Sequence, residues 1–428
     1  MPDISSHHRL LAVATEWFPA HGGLSTLNQH LCTALAARGD QVFCLVPTMS
    51  EAEHAAAAAV GVELIAARRT PGYSGRNILM RRPSLPGEVI PTVVLGHGHV
   101  TGPEAKVLCE DTFPSAVHVH VMHVAPNEVT HLRPQPEGSR DAASVRADER
   151  TRLETELAAT ADLAVAIGPR LHRLALRDLG RIAGAPTPVR LDPGFDIAAE
   201  HYSHPPLGGP IQVLVSGRMG DATVKGVDLA ARALAFALDL RGRSDQELEL
   251  VVRGAPAGDC DSLRRRLVAM VANPALHITV LPYTTAIAER RQDLARAMLS
   301  VMPSRADGFG LSGLETITAG VPTLVSDRSG LGELITDLVD GDLAAQTVVP
   351  VTLDDRDAMR WGHEIAAILR NPTAAYASAD DLRRRLAAAR SWRRAAHELH
   401  LDLLKTRRGG PRPDIRPLHL PPDPRPAQ

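Results

Sequence analysis

Two acids with seven residues between them, Asp307 and Glu315, stand in the stretch Pro303-Ser-Arg-Ala-Asp-Gly-Phe-Gly-Leu-Ser-Gly-Leu-Glu315. An apolar strand at 299–302 leads into it and an apolar helix at 311–320 leads out. That helix carries no Lys or Arg, so Glu315 is expected to lack a local ion-pair partner. A carboxylate on such a face is costly to bury unless hydrogen-bond donors meet it. Ribose or sugar hydroxyls are donors of that kind. The helix start at Phe309-Gly310, with Gly308 before it and Leu311 after it, offers free N–H groups to a phosphate. A nucleotide joined to a sugar is the ligand these residues suggest.

Three further groups could serve such a ligand. In Glu16-Trp-Phe-Pro-Ala-His-Gly22-Gly23-Leu24, adjacent glycines end a strand and open a helix. A ligand could approach that backbone closely, although a tight turn would need the same glycines. The third glycine of a dinucleotide fingerprint is absent, and the second strand ends Leu45-Val-Pro-Thr48 without the acid that would hold a ribose. In Ser216-Gly-Arg-Met-Gly-Asp-Ala-Thr-Val-Lys225-Gly, Arg218 and Lys225 can converge on a diphosphate. One is a planar fork and the other a compact charge. An isolated pair of cations would more simply be solvated. Five histidines, His97, His99, His118, His120 and His123, fall within two short apolar runs. Residues i and i+2 share a strand face, so HxH could present two imidazoles to a metal. No downstream acid or histidine has a pattern that would complete such a site.

The segment from Asp307 to Glu315, with the following Pro322-Thr-Leu-Val-Ser-Asp-Arg-Ser-Gly330, resembles the E-x7-E region of retaining glycosyltransferases of family 4. The resemblance runs from Leu10 to about Leu404 and is strongest over 213–335. It implies an α/β GT-B fold: two Rossmann-like domains facing each other across a cleft, with a C-terminal helix crossing back to the first. The implied activity is transfer of a sugar from a nucleotide-sugar, without cofactor or metal, to an acceptor that is a small molecule, a glycan or lipid-linked. Carried onto this chain, Arg218 and Lys225 hold the leaving diphosphate, Gly22, Gly23, Gly308, Phe309, Gly310 and Leu311 border the donor, and Glu315 binds ribose. Asp307 stands where the family commonly has Glu and binds sugar hydroxyls. A histidine beside the transferring sugar is His123, through His-Val-Ala-Pro, with His120 close behind. His99 and His120 are acceptor-side candidates. The Arg218–Lys225 loop is about two residues longer than the family's common form, and Asp192-Pro-Gly-Phe-Asp196 replaces its Pro-Asn-Gly-Val-Asp. Alternatives are a catalytically silent nucleotide-sugar sensor, a nucleotide-sugar epimerase on the same fold, and a metal-dependent hydrolase built on the histidines.

The elements that must position these residues follow from length and pattern. A chain of 428 residues suits two domains rather than one core. Net charge is −2, so no overall field favours nucleic acid, and aromatics at 3% leave no stacking platform for single strands. Four scattered cysteines without a CxxC pair read as free thiols in a reducing cytoplasm. No apolar window is long enough for a membrane-spanning helix, so the membrane contact open to the chain is expected to be peripheral.

Short apolar runs alternate with helical patterns, as in βαβ units. Strands are expected at 10–15, 41–47, 62–66, 92–95, 116–123 and 163–167, then at 211–217, 248–252, 277–281, 299–302, 323–325 and 348–351. Helices are expected at 24–38, 51–59, 103–110, 147–159 and 170–182, then at 227–240, 261–272, 288–297, 311–319 and 331–338. The resulting division is a first domain at 1–197, a linker within 198–209, a second domain at 210–388, a crossing helix at 389–405 and a disordered tail at 406–428.

Overall fold

The computed structural model describes residues 7–18, 23–69, 71–72, 75–125, 128, 132, 140–196, 201–242 and 246–406. Its first half forms a sheet of seven strands: β1 (Arg9–Val13), β2 (Gln41–Val46), β3 (Val62–Ala66), β4 (Val93–His97), β5 (Val117–Met122), β6 (Leu163–Ile167) and β7 (Val189–Leu191). Helices α1 (Gly23–Arg38), α2 (Glu51–Ala59), α3 (Gly98–Val107), α4 (Arg140–Thr160) and α5 (Gly168–Leu179) connect them. The second half forms a sheet of six: β8 (Ile211–Ser216), β9 (Leu248–Ala255), β10 (Leu276–Pro282), β11 (Ala297–Met302), β12 (Thr323–Ser326) and β13 (Val348–Val349). Its helices are α6 (Val227–Arg241), α7 (Cys260–Val271), α8 (Ile287–Arg296), α9 (Leu311–Thr318), α10 (Gly330–Leu338), α11 (Gly341–Ala345), α12 (Asp357–Arg370), α13 (Pro372–Ala389) and α14 (Trp392–Lys405).

Strand order is β3-β2-β1-β4-β5-β6-β7 in one sheet and β10-β9-β8-β11-β12-β13 in the other. The central strands pair in parallel. Every residue of β4, β6 and β11 is buried, as strands covered by helices on both faces must be. Order reverses between β1 and β4, and again between β8 and β11. A crevice opens outside the carboxyl ends of such strand pairs. The residues that follow β1, β4, β8 and β11 therefore line it, and these are the loops singled out above.

Several elements differ from expectation. β4 runs two residues further, to His97, because His97 is buried there rather than opening a loop. β7 has only three residues, too few for an alternation to show. α12 was not anticipated, although Trp361, Ile365, Ala366 and Leu369 recur on its buried face. The crossing helix, expected at 389–405, is preceded by α13 and parted from it at Arg390-Ser391. Ser391 caps the crossing helix, its side chain accepting from the Arg394 N–H at 3.2 Å.

α14 crosses back and buries Trp392, Ala395, Ala396, Leu399 and Leu403. One continuous apolar core takes in Leu31 and Leu35 of α1, Phe309, Leu331 and Leu334 of the second half, and Leu386 and Trp392. The described part of the expected linker is strapped down. The Tyr202 N–H donates to the Ala319 carbonyl at 2.7 Å and its hydroxyl to the Arg291 carbonyl at 3.0 Å. In the turn at 192–196, Asp192 accepts from Arg190 and Arg390, and Asp196 accepts from the Trp392 N–H. That turn anchors α14.

Candidate active site

On the second-domain wall, Lys225 Nζ donates to Asp307 Oδ2 at 2.6 Å, and Ser304 Oγ reaches the same oxygen at 3.4 Å. The two loops are clamped by a residue that the sequence did not single out. Arg305 donates to both Asp228 oxygens, at 2.6 and 2.7 Å, and to the Thr223 carbonyl at 2.5 Å. Burial would raise the Asp228 carboxyl, but Arg305 and Arg232 outweigh it and hold it below the ordinary range. Arg218 is exposed and forms no hydrogen bond or ion pair with the described residues. α9 begins at Leu311 with Gly310 as its cap residue and no side chain on its first N–H groups.

Glu315 finds no ion-pair partner within α9, but Arg290 of α8 places Nη2 2.7 Å from Glu315 Oε2. The cation comes from a different helix, so a search within α9 could not find it. Both side chains are about one-third exposed, which leaves the pair open to exchange with a ligand. Tyr283 lies in the field of Arg290, Glu315, Glu16 and Arg218, and burial raises its hydroxyl above the usual range. Arg253 of β9 is held by Asp293 at 2.6 and 2.9 Å.

The first-domain wall meets these loops directly. A Cβ added to Gly308 would collide with the His123 carbonyl oxygen, and one on Gly23 would press on the Leu311 side chain. His123, Gly308 and Gly23 therefore stand together at one seam with the start of α9. Gly22 lies outside the described residues. Phe309 is buried, and its ring packs against Gly168 at the start of α5, across the seam between the two halves.

The histidines form hydrogen-bonded pairs. His97 Nδ1 lies 2.9 Å from His123 Nε2, and His97 Nε2 lies 2.9 Å from Asn28 Oδ1. His120 Nε2 is 3.3 Å from Glu154 Oε1, and His99 Nδ1 is 3.7 Å from Glu154 Oε2. His120 is fully buried, so as an acceptor-side candidate it is corrected to a support behind His99 and His123. The HxH geometry at His97 and His99 is also lost. β4 ends at His97, and Gly98 turns the chain at φ 49° into α3, so the two do not share a strand face. Among the described residues no three His, Cys, Asp or Glu side chains are placed to share a metal ion. Glu154 and Asn28 were missed because their partners lie 34 and 69 residues away in sequence.

Burial pushes His123 down to about 4, with Glu154 opposing, and holds His97 well below its usual range. An unfolded histidine titrates near 6.5. Between pH ~6.5 and ~4 the unfolded chain therefore binds more protons, and stability must fall as pH drops through that window. Melting temperature measured from pH 7.5 to 4.5 should decline more steeply in the wild type than in His123→Gln. Parallel declines would show that His123 is not the group responsible.

A model described as "Family 4 Glycosyltransferase in conflict systems" matches residues 11–399. The chain belongs to glycosyltransferase family 4. It is 26% identical over 440 residues to a glycogen synthase of Mycobacterium tuberculosis, covering 95% of this chain and 97% of that protein. It is 30% identical over 155 residues to a D-inositol 3-phosphate glycosyltransferase of Acidothermus cellulolyticus, 35% of this chain and 34% of that one.

Among solved structures, the sucrose-phosphate synthase of Thermosynechococcus elongatus superposes with a TM-score of 0.64 at 19% identity. That match covers 92% of this chain and 98% of the other. Anabaena HepE, solved with UDP and glucose, gives a TM-score of 0.60 at 14% identity, covering 94% and 100%. This family 4 protein thus has the GT-B fold and is a nucleotide-sugar-dependent glycosyltransferase. No described helix is long and apolar enough to cross a membrane.

Proposed function

We propose that this chain transfers a sugar, with retention of configuration and without a metal, from a nucleoside diphosphate sugar to an acceptor bound on the first-domain side. The observation that carries this reading is the convergence, at the β8/β11 reversal, of Lys225 and Asp307 on the open start of α9, with Arg218 exposed nearby. Charge develops on the leaving diphosphate during transfer. Two cations and helix N–H groups aimed at it supply the stabilisation that a metal would otherwise provide. Asp307, held by Lys225, presents a carboxylate to sugar hydroxyls, and His123 stands across the seam from it. Glu315 accepts from the ribose hydroxyls, exchanging Arg290 for the ligand. His99, about one-third exposed with Nδ1 turned toward buried Glu154, lines the acceptor side. Acceptors of the small-molecule, glycan and lipid-linked classes all remain within this reading. The relatives' names support the donor class, since HepE was solved with UDP and glucose.

Hydrogen bonds to a charged group are worth about 1.5–3 kcal/mol, so Glu315→Ala should raise the donor KM by roughly 10- to 100-fold. Arg290→Ala removes only an ion pair about one-third exposed, and its effect should stay within about fivefold. UDP-glucose turnover, with the anomer of the product read by NMR, checks both variants and the retention. An unchanged KM in Glu315→Ala would remove the ribose assignment, and an inverted product would remove retention.

A further inference from the structure

The geometry points to Asn28 and His97 as positioning residues that fix which ring nitrogen of His123 carries its proton. The inference rests on the reading of His123 as the side chain beside the donor sugar. His97 is fully buried at the end of β4. Its N–H donates to Thr101 Oγ1 at 3.0 Å, and that hydroxyl donates to the Val13 carbonyl at 2.7 Å, so its backbone is anchored to β1. Both its ring nitrogens are engaged, at 2.9 Å each, by Asn28 Oδ1 and His123 Nε2.

Asn28 is buried as well, and its amide lies between two thiols. Its Nδ2 donates to Cys44 Sγ at 3.5 Å, while Cys32 Sγ donates to Oδ1 at 3.6 Å.

The proton order follows from what each atom can do. An amide oxygen only accepts, so His97 carries its proton on Nε2. Its Nδ1 is then bare in the neutral ring that burial favours. A bare nitrogen only accepts, so His123 must donate from Nε2. What remains is His123 Nδ1, a bare acceptor that forms no hydrogen bond with another described residue. A hydroxyl can donate to it, whereas a phosphate or carbonyl oxygen cannot. Asn28 and His97 thus preset His123 for a sugar hydroxyl before any ligand arrives.

The test is ring-nitrogen NMR on the full chain labelled with 15N-histidine at pH 7.5, the two signals assigned by their loss in His97→Gln and His123→Gln. The wild type should show both rings as single Nε2–H tautomers. Asn28→Leu, which keeps volume but cannot accept, should mix the tautomers. It should also lower kcat for UDP-glucose hydrolysis by about 10- to 100-fold, with KM within about threefold. Asn28→Asp keeps an oxygen acceptor and should restore both readouts.

A wild-type His123 protonated on Nδ1 would overturn the inference, as would Asn28→Leu with unchanged kcat. Should Asn28→Leu fail to fold, the wild-type spectrum and Asn28→Asp still decide. A wild type that neither binds nor hydrolyses UDP-glucose would count against the donor reading alone, because the tautomer is read without ligand.

Discussion

Arg218→Ala and Lys225→Ala should each slow nucleotide-sugar turnover by about 10²- to 10³-fold, mostly in kcat. Groups that meet charge as it develops in the transition state have effects of that size. The two variants should differ in character. Arg218 forms no ion pair with the described residues, so its removal leaves the fold untouched. Lys225 is bound to Asp307 at 2.6 Å with both side chains mostly covered. Its loss leaves that carboxylate without its cation, and some stability should go with it. Arg218→Lys should recover only part of the rate, because a compact ammonium cannot form the two-pronged contact of a guanidinium. Turnover within threefold of wild type in both alanine variants would mean that the diphosphate is held elsewhere.

Trp392→Ala should destabilise the protein by about 3–5 kcal/mol, the usual cost of deleting a buried aromatic side chain. Trp392 is 6% exposed, and its ring stacks on His30 of α1 with centroids 5.2 Å apart. Its backbone N–H meets Asp196, and the turn around Gly194 lies against the same backbone. By comparison, Ser391→Ala removes one capping hydrogen bond and should cost about 1 kcal/mol. Urea unfolding of the two variants separates these values. A Trp392→Ala cost near that of the cap would mean that α14 contributes little to joining the two halves.

The parts of the site that could be read from sequence are those whose signal is local. β11 and α9 showed themselves through an all-apolar strand, a glycine-bearing loop and an apolar helix in unbroken succession. Arg218 and Lys225 were singled out by resemblance to the family, since an isolated pair of cations reads as solvated. What escaped notice depends on partners far along the chain. Arg290 belongs to the run Glu-Arg-Arg-Gln in α8, which looks like any solvated helix face. Arg305 lies within the recognised stretch, yet its bond to Asp228 spans 77 positions. The division of labour among the histidines was hidden by the length of β4. Two more strand residues place His97 in the interior and send His99 onto a helix, undoing the shared face that their spacing suggested.

The apolar core that runs unbroken through both sheets and the returning helix sets a limit on modular rearrangement. Phe309, Leu331 and Leu334 of the second half share it with Leu31, Leu171 and Trp392. A chimera that grafts another family member's donor half at 197–210 would inherit a foreign seam. It would have to match side-chain volumes there as closely as any single interior does.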